Sequence, residues 1–224
     1  MDFKMIIEFL IDLELNNNRY WFRENKLRYD AARATFEQFL GVLLPMLQEM
    51  DPSLEDISVK QSIFRIYRDV RFSKNKAPYK NNFGAFISHG GRKSPYAGYY
   101  IHLQPDRSFI GGGIYKPDSI VLKALRNEIF ENTDEFKKII SEKSFLQYFH
   151  KINGEKLKLA PKGFPKDFGD IELLKYKSYT VTHSLKNDFL LQPDVYKKII
   201  PIFKKQKKFN DFLNRAVNRV YSNS

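Results

Sequence analysis

The chain has 224 residues, of which 42% are hydrophobic and 29% are charged, and it carries a formal net charge of +12. This composition is typical of a globular protein and excludes a disordered tail or a fibre. The absence of cysteine excludes disulfide scaffolds, cysteine-ligated zinc, iron–sulfur clusters and thiol catalysis.

Apolar residues at helical spacing predict a first helix over residues 2–14. An N-cap signal at residues 16–18 then opens a long helix over residues 19–50. We expect Gly41 and Pro45 to kink or split that helix, because proline removes a backbone donor and clashes with the preceding turn.

From residue 59 the hydrophobic pattern changes from helical to alternating, and runs rich in β-branched and aromatic residues predict strands. The expected strands are residues 62–67, 83–88, 97–104, 108–115 and 178–185. Short turn signals separate the middle three, and such connections favour antiparallel neighbours.

Further helices are expected over residues 117–132 and 133–143, with a helical turn at 171–176. Two closing helices are expected, one from about Pro193 and one from about Lys208. Helices at both ends and strands between them predict an α+β fold. We expect a single domain over residues 1–224, with a mainly antiparallel sheet of about five strands flanked by N- and C-terminal helices.

The apolar runs are shorter than the roughly 20 residues that cross a bilayer. The first residues also lack the basic, apolar and small-residue regions of a secretory signal. We therefore expect a cytoplasmic protein with no membrane partner.

Positive charge is concentrated in two stretches of the chain. Residues 60–80 carry seven basic side chains and one acid, and residues 197–219 carry eight basic side chains and one acid. The second stretch is typical of a solvated helix face. The first stretch is interleaved with aromatic residues, and we interpret it as the site of an anionic partner.

Residues 64–80, with the sequence FRIYRDVRFSKNKAPYK, hold the densest set of candidate ligand-binding side chains. Arginine offers paired donors and lysine a point charge, which together suit phosphate or carboxylate, and tyrosine adds a flat surface for stacking. The alternative is that acids elsewhere in the chain, such as those of the first two helices, pair with these arginines. The candidates are Arg65, Arg68, Arg71, Lys74, Lys76, Tyr79 and Lys80.

Three glycines at residues 111–113 interrupt a predicted strand. They indicate a bulge or a close approach to the backbone by a ligand, by the indole of Trp21 or by a packed helix. We include Gly112, Gly113, Tyr115 and Trp21 among the candidate ligand-binding residues. The alternative for Trp21 is that it anchors its helix on the sheet.

Candidates for proton transfer are few. The histidines show no spacing typical of metal ligands, and we predict neither a metal nor a cofactor. His102 alternates with Tyr100 and Gln104 along a predicted strand and is the best acid–base candidate, although a histidine on a sheet is often structural. The candidate catalytic residues are Asp69, Tyr67 and His102.

Several motifs occur together along nearly the whole chain. They are NNNR at 16–19, WF at 21–22, FRIYRDVRFSK at 64–74, PYK at 78–80, GGRK at 90–93, GYY at 98–100, HL at 102–103, GGIY at 112–115 and KS at 177–178. In this combination the chain resembles a widespread bacterial and fungal family of conserved proteins known only as a domain of unknown function. The resemblance implies a single α+β domain and brings no catalytic residues. Members commonly have an acidic residue where this chain has Tyr20 and Asn75, so a mechanism that needs a carboxylate at either position finds no support here.

Three functions remain open at this point. The leading one is a binding module for a phosphorylated or otherwise anionic ligand, with nucleic acid as the sharper version. The second is an enzyme for a small phosphorylated or carboxylated substrate, in which Arg65 and Arg68 clamp the anion while Asp69, Tyr67 or His102 transfers a proton. The third is a structural or partner-binding protein whose basic cluster is paired inside the fold.

Overall fold

The computed structural model describes residues 2–221, which form an α+β fold. The helices are α1 (Phe3–Leu15), α2 (Arg19–Glu24), α3 (Lys26–Met50), α4 (Val59–Ser62), α5 (Ser119–Glu131), α6 (Thr133–Ser141), α7 (Lys143–Leu146), α8 (Ile171–Leu174), α9 (Asn187–Leu190) and α10 (Val195–Tyr221), with a 3-10 turn at Pro52–Leu54. The strands are β1 (Phe83–Ile87), β2 (Gly98–Leu103), β3 (Phe109–Ile114) and β4 (Tyr179–Ser184). The predicted class is therefore confirmed.

The four strands form one antiparallel sheet in the order β1-β2-β3-β4. One face is apolar: Ala85 pairs with Ile101 and Ile101 with Ile110, and all three are fully buried. Helices α1 and α3 reach this face through ring contacts with Phe83, and α10 does so through Tyr99. Alternation along each strand sends the intervening side chains to the opposite face.

The prediction of a strand at residues 62–67 is wrong, so the sheet has four strands and not five. The side chain of Gln61 accepts the backbone N–H of Ser58 at 2.8 Å, and this capping interaction stabilises α4 where the strand was expected to begin. Beyond α4, Ile63 and Tyr67 each form a single isolated bridge, and the two bridges have different partners. Because the segment changes partner after a few residues, no continuous ladder forms.

The long helix predicted over residues 19–50 is divided at Asn25, and not at Gly41 or Pro45. The side-chain amide of Asn25 donates to the carbonyl of Trp21 at 3.0 Å and ends α2. Helix α3 continues through Pro45 because this proline and Gly41, four residues earlier, both lie on the exposed side. The carbonyl that the proline leaves without a donor can there be solvated.

The two closing helices predicted from about Pro193 and Lys208 are the single helix α10. Its buried residues, among them Phe203, Phe209 and Leu213, keep one helical face along its length. The lysines between them lie on the solvent side, where Lys208 pairs with Glu142. Within the described part of the chain, no helix is both long and apolar enough to cross a membrane.

Candidate functional site

Residues 64–80 fold into a single loop that returns on itself, and we call it the basic loop. At its base the backbone N–H of Arg68 donates to the carbonyl of Pro78 at 2.9 Å, and that of Lys80 donates to the carbonyl of Ile66 at 2.8 Å. Tyr67 forms a bridge with Tyr79 at the same level. This folding brings Arg68 and Lys80 together, although they are distant along the loop.

Tyr79 attaches the basic loop to the N-terminal helices. Its ring stacks on that of Phe22, with centroids 3.9 Å apart, and its side chain is only 5% exposed. The side chain of Asn17 accepts the backbone N–H of Tyr79 at 3.1 Å and donates to its carbonyl at 3.0 Å. The position of the loop is thus set by packing and by a doubly bonded amide, and Tyr79 contributes mainly to that anchor.

A groove of about 500 Å³ lies beside this anchor. Its lining holds two cations, a single carboxylate and four asparagine amides. The lining residues are Glu14, Asn17, Arg68, Asn75, Ala77, Tyr79, Lys80, Asn81 and Asn82. Of the residues predicted from sequence, Arg68, Tyr79 and Lys80 are therefore brought together here.

The two cations of the groove bond only to neutral groups. The guanidinium of Arg68 donates to the carbonyl of Ala77 at 3.2 Å and to the hydroxyl of Ser73 at 3.3 Å. The ammonium of Lys80 donates to the carbonyl of Arg65 at 2.8 Å. Among residues 2–221, neither cation forms an ion pair with a carboxylate. Burial and the positive charge of Arg65 both lower the pKa of Lys80, so its charge lies in an unfavourable environment.

The other cations of the basic loop differ in what holds them. Arg71 forms an ion pair with Asp69, and the ammonium of Lys76 donates to the carbonyl of Val70 at 3.1 Å. Arg65 and Lys74 are exposed and form no ion pair within the part of the chain that the structure describes. Within the described residues, no acid of the N-terminal helices forms an ion pair with these arginines, and the one ion pair of the loop joins Arg71 to Asp69, two residues before it.

The ion pair of Asp69 with Arg71 predicts a low pKa for the Asp69 carboxyl and a stability that depends on pH. Hydrogen bonds from Arg71, at 3.0 Å from Nε and 2.6 Å from Nη2, lower the pKa of its carboxyl to about 2. We expect an NMR titration of that carboxyl to show a midpoint near this value, and Arg71→Gln to raise it towards about 4. Because the folded pKa is below the unfolded one, the stabilisation by this pair is complete above the unfolded pKa and is lost as the pH falls through the folded pKa. Lys74→Gln is the control that leaves the midpoint in place, and an ordinary midpoint in the unchanged protein would contradict the geometry.

His102 lies in a polar cluster on the second face of the sheet. Its Nε2 is 3.0 Å from the amide oxygen of Gln104 and its Nδ1 is 3.0 Å from the hydroxyl of Tyr100. With the Gln104 oxygen as acceptor, the proton is on Nε2, and Nδ1 accepts from Tyr100. Burial lowers the pKa of His102 and raises that of Tyr100 to about 12, so both are neutral at pH 7. The amide nitrogen of Asn82, which lines the groove, is 3.4 Å from the same Nδ1.

The three candidate catalytic residues do not form one constellation. Asp69 and Tyr67 belong to the basic loop, and Tyr67 is half exposed. In residues 2–221 no hydrogen bond, ion pair or ring contact joins either of them to His102. With its carboxylate held by Arg71, Asp69 is also a weak proton acceptor.

Comparison with known proteins supplies a family. A family model described as "Conserved hypothetical protein (DUF2461)" matches residues 5–212. The chain belongs to this family. No curated protein and no solved structure matches the chain. The family resemblance predicted from the motifs is confirmed, and the matched range of the DUF2461 family includes the basic loop, the groove and the sheet.

The remaining predicted ligand-binding residues lie away from the groove of this DUF2461 member. A Cβ on Gly112 would lie 2.5 Å from the amide nitrogen of Gln206, and one on Gly113 would lie 3.1 Å from the ring of Phe209. Both contacts come from α10. Backbone carbonyl oxygens of the neighbouring strands lie closer still, Gly98 at 1.9 Å from the first Cβ and Tyr179 at 2.1 Å from the second, so the strands and a packed helix both approach these glycines. Tyr115 is 70% exposed at the end of β3, and its neighbour Lys116 lies 5.2 Å from its ring.

Trp21 packs against α1 rather than facing the groove. Its ring centroid is 6.1 Å from that of Phe9, and the side chain is partly buried. Its backbone N–H donates to Asn18, which confirms the N-cap predicted from the asparagine run. The anchoring role that the sequence left open for Trp21 is the one consistent with these contacts.

Sequence reasoning missed the asparagines of the groove. Asn17, Asn75, Asn81 and Asn82 come from separate positions and share no spacing that would mark a site. The local signals were the run at residues 16–18, which was interpreted only as an N-cap, and the pair Asn81–Asn82 directly after the basic loop. Among residues 2–221, no group of three or more His, Asp or Glu side chains is placed to hold a metal ion.

Proposed function

We propose that this protein binds a phosphorylated anionic ligand in the groove beside the basic loop. One observation carries the proposal: Arg68 and Lys80 line the same groove, and neither is ion-paired within the described residues. The single carboxylate of the lining, Glu14, leaves the two cations in excess. Cations in such a position are stabilised by an anion from outside the chain.

The electrostatics of Lys80 support the same proposal. Its ammonium is partly dehydrated and is repelled by Arg65, and both effects lower its pKa. A bound phosphate would offset the repulsion and replace the lost hydration. The arginine fork and the lysine point charge suit phosphate oxygens, and the amides of Asn75 and Asn81 add neutral groups that can orient a ligand.

A second candidate is an enzyme that acts on a small phosphorylated or carboxylated substrate. The observation that favours it is Asn82, which lines the groove and also contacts Nδ1 of His102 at 3.4 Å. A ligand in the groove would then lie one side chain away from a neutral imidazole, which is the form a general base requires. In this version Asp69 and Tyr67 take no part in proton transfer.

Isothermal titration with ribose 5-phosphate at low salt tests the binding proposal. We expect measurable binding that weakens as salt is added, and Lys80→Gln should weaken it by about ten-fold or more, since it removes a charge-assisted contact. Lys162→Gln, at an exposed lysine outside the groove, is the matched control and should change nothing. At 100 times its dissociation constant the ligand should also stabilise the fold by about 2.7 kcal/mol. Absence of binding at low salt, or equal affinity of the two variants, would refute the proposal.

A further inference from the structure

The face of the sheet turned away from α1, α3 and α10 carries aromatic side chains. Phe86 of β1 pairs with Tyr100 of β2, and His102 of β2 pairs with Phe109 of β3, all on this side. We call these four residues the outer face, and each is partly buried. A sheet face not covered by helices is usually polar, as β4 is here at the exposed Thr182. The three adjacent strands β1, β2 and β3 differ from that rule, because they carry rings on this uncovered face.

Glycines lie beside the central ring of the outer face. Gly84 points to the same side from β1, and a Cβ there would lie 3.0 Å from the hydroxyl of Tyr100. Gly111 of β3 pairs with Tyr100 of β2. The ring of Phe64 lies 3.6 Å from the same point above Gly84, so the missing side chain there lets the Tyr100 and Phe64 side chains pack close to the β1 backbone.

The outer face is continuous with the groove. The ammonium of Lys80 lies 5.5 Å from the ring of Phe64, and that ring is 6.3 Å, edge to face, from the ring of Tyr100. On the other side, Asn82 belongs to the groove and contacts His102. Two independent sets of contacts therefore join the cationic groove to the aromatic outer face.

We propose that the outer face stacks an aromatic base while the groove holds the attached phosphate, so that the ligand is a nucleotide unit. The inference rests on the proposed function, and it names the ligand class of that site. Aromatic side chains on a sheet, bordered by cations, bind nucleotides through stacking on the base and charge on the phosphate. The unit can come from a free nucleotide or from a single-stranded nucleic acid, and both present the same chemistry.

Phe86 is the ring best placed to receive the base. Phe109 already stacks on His102, with centroids 4.6 Å apart, and Tyr100 packs against Phe64 and Phe109. Phe86 has no ring partner in the described chain and is partly exposed. Its pairing opposite Tyr100 places it beside the ring that contacts Phe64 at the border of the groove.

The test compares ligands that differ only in the base. Adenosine 5′-monophosphate should bind about five-fold to a hundred-fold more tightly than ribose 5-phosphate, which is the effect of stacking one base. Phe86→Leu keeps an apolar side chain without an aromatic face, and should remove this difference while the affinity for ribose 5-phosphate is retained. Phe130→Leu, at an exposed phenylalanine on α5, is the matched control and should preserve the difference. If a variant folds poorly, the comparison of the two ligands on the unchanged protein still tests the inference.

The outcomes separate this inference from the proposed function. If a short oligoadenylate binds more tightly than the mononucleotide, with a steep salt dependence, the ligand is a single-stranded nucleic acid. Equal affinities indicate that the ligand is a free nucleotide. Equal binding of ribose 5-phosphate and the nucleotide, both weakened by Lys80→Gln, would overturn the stacking inference and leave the anion groove intact. If no phosphorylated compound binds, both are wrong.

Discussion

Gly112→Ala should destabilise the fold by about 4 kcal/mol or more, at the upper end of single-residue effects. The added carbon would lie 1.9 Å from the carbonyl oxygen of Gly98 and 2.5 Å from the amide of Gln206. The oxygen cannot move away, because it accepts hydrogen bonds from Gln206 at 3.0 Å and Asn210 at 3.2 Å inside the β2–α10 packing. The φ of +152° at Gly112 adds backbone strain for any residue with a Cβ. Urea denaturation followed by circular dichroism measures the change.

Gly41→Ala is the matched control for this prediction. Gly41 lies within α3, and a Cβ there would meet nothing within 4 Å. The same substitution should therefore stabilise the protein by about 1 kcal/mol, through the higher helix propensity of alanine. Equal effects of the two substitutions would show that the approach of β2 and α10 to β3 is not as close as the structure has it.

Arg215→Met should cost about 3 kcal/mol, because it removes a partner from a buried carboxylate. Glu128 is fully buried, and its Oε1 accepts from Nε of Arg215 at 3.0 Å and from Nη2 at 2.8 Å. The other oxygen lies 2.9 Å from Arg219, which keeps the cost at the lower end of the range for a broken buried pair. Thermal and urea unfolding of the purified variant measure it.

An exposed ion pair supplies the comparison. Arg28 and Asp12 are 2.6 Å apart with both side chains nearly half exposed, so Arg28→Met should cost less than about 1 kcal/mol. Adding Glu128→Gln to Arg215→Met should recover part of the lost stability, since the uncharged amide is easier to bury. Similar losses at the two arginines, or no recovery in the double variant, would mean that Glu128 is better solvated than its burial indicates.

Helices, strands and turns whose sequence signals are local lie where the sequence predicts them. Helix α5 begins where Asp118 accepts two backbone N–H groups, and the turns around β2 contain the glycine and proline residues that predicted them. The four strands were predictable because alternation and turn chemistry coincide there. The segment at 62–67 is also rich in β-branched and aromatic residues, yet it forms only isolated bridges and no continuous ladder with one neighbouring strand. A strand is stabilised by such pairing, and composition alone does not supply it.

The sequence also placed the basic loop correctly as a concentration of cations, but not the state of each cation. Arg71 and Arg68 look alike in the pattern, yet one is paired with Asp69 and the other lines the groove. That difference depends on how the loop returns on itself and on Asn17, which lies 62 residues before the Tyr79 peptide it holds. Hydrogen bonds of such sequence separation leave no periodic signal.

Composition and periodicity by themselves determined the fold class, most helices, four strands and the basic character of residues 64–80, and the resemblance of the motifs indicated the family. These properties arise from local propensity and from the burial pattern of each segment, which can be read along the chain. The tertiary structure alone decided the asparagine lining, the separation of His102 from Asp69, and the packing of α10 on Gly112. Each of these depends on which distant segments meet, and that is set by the packing of the whole core.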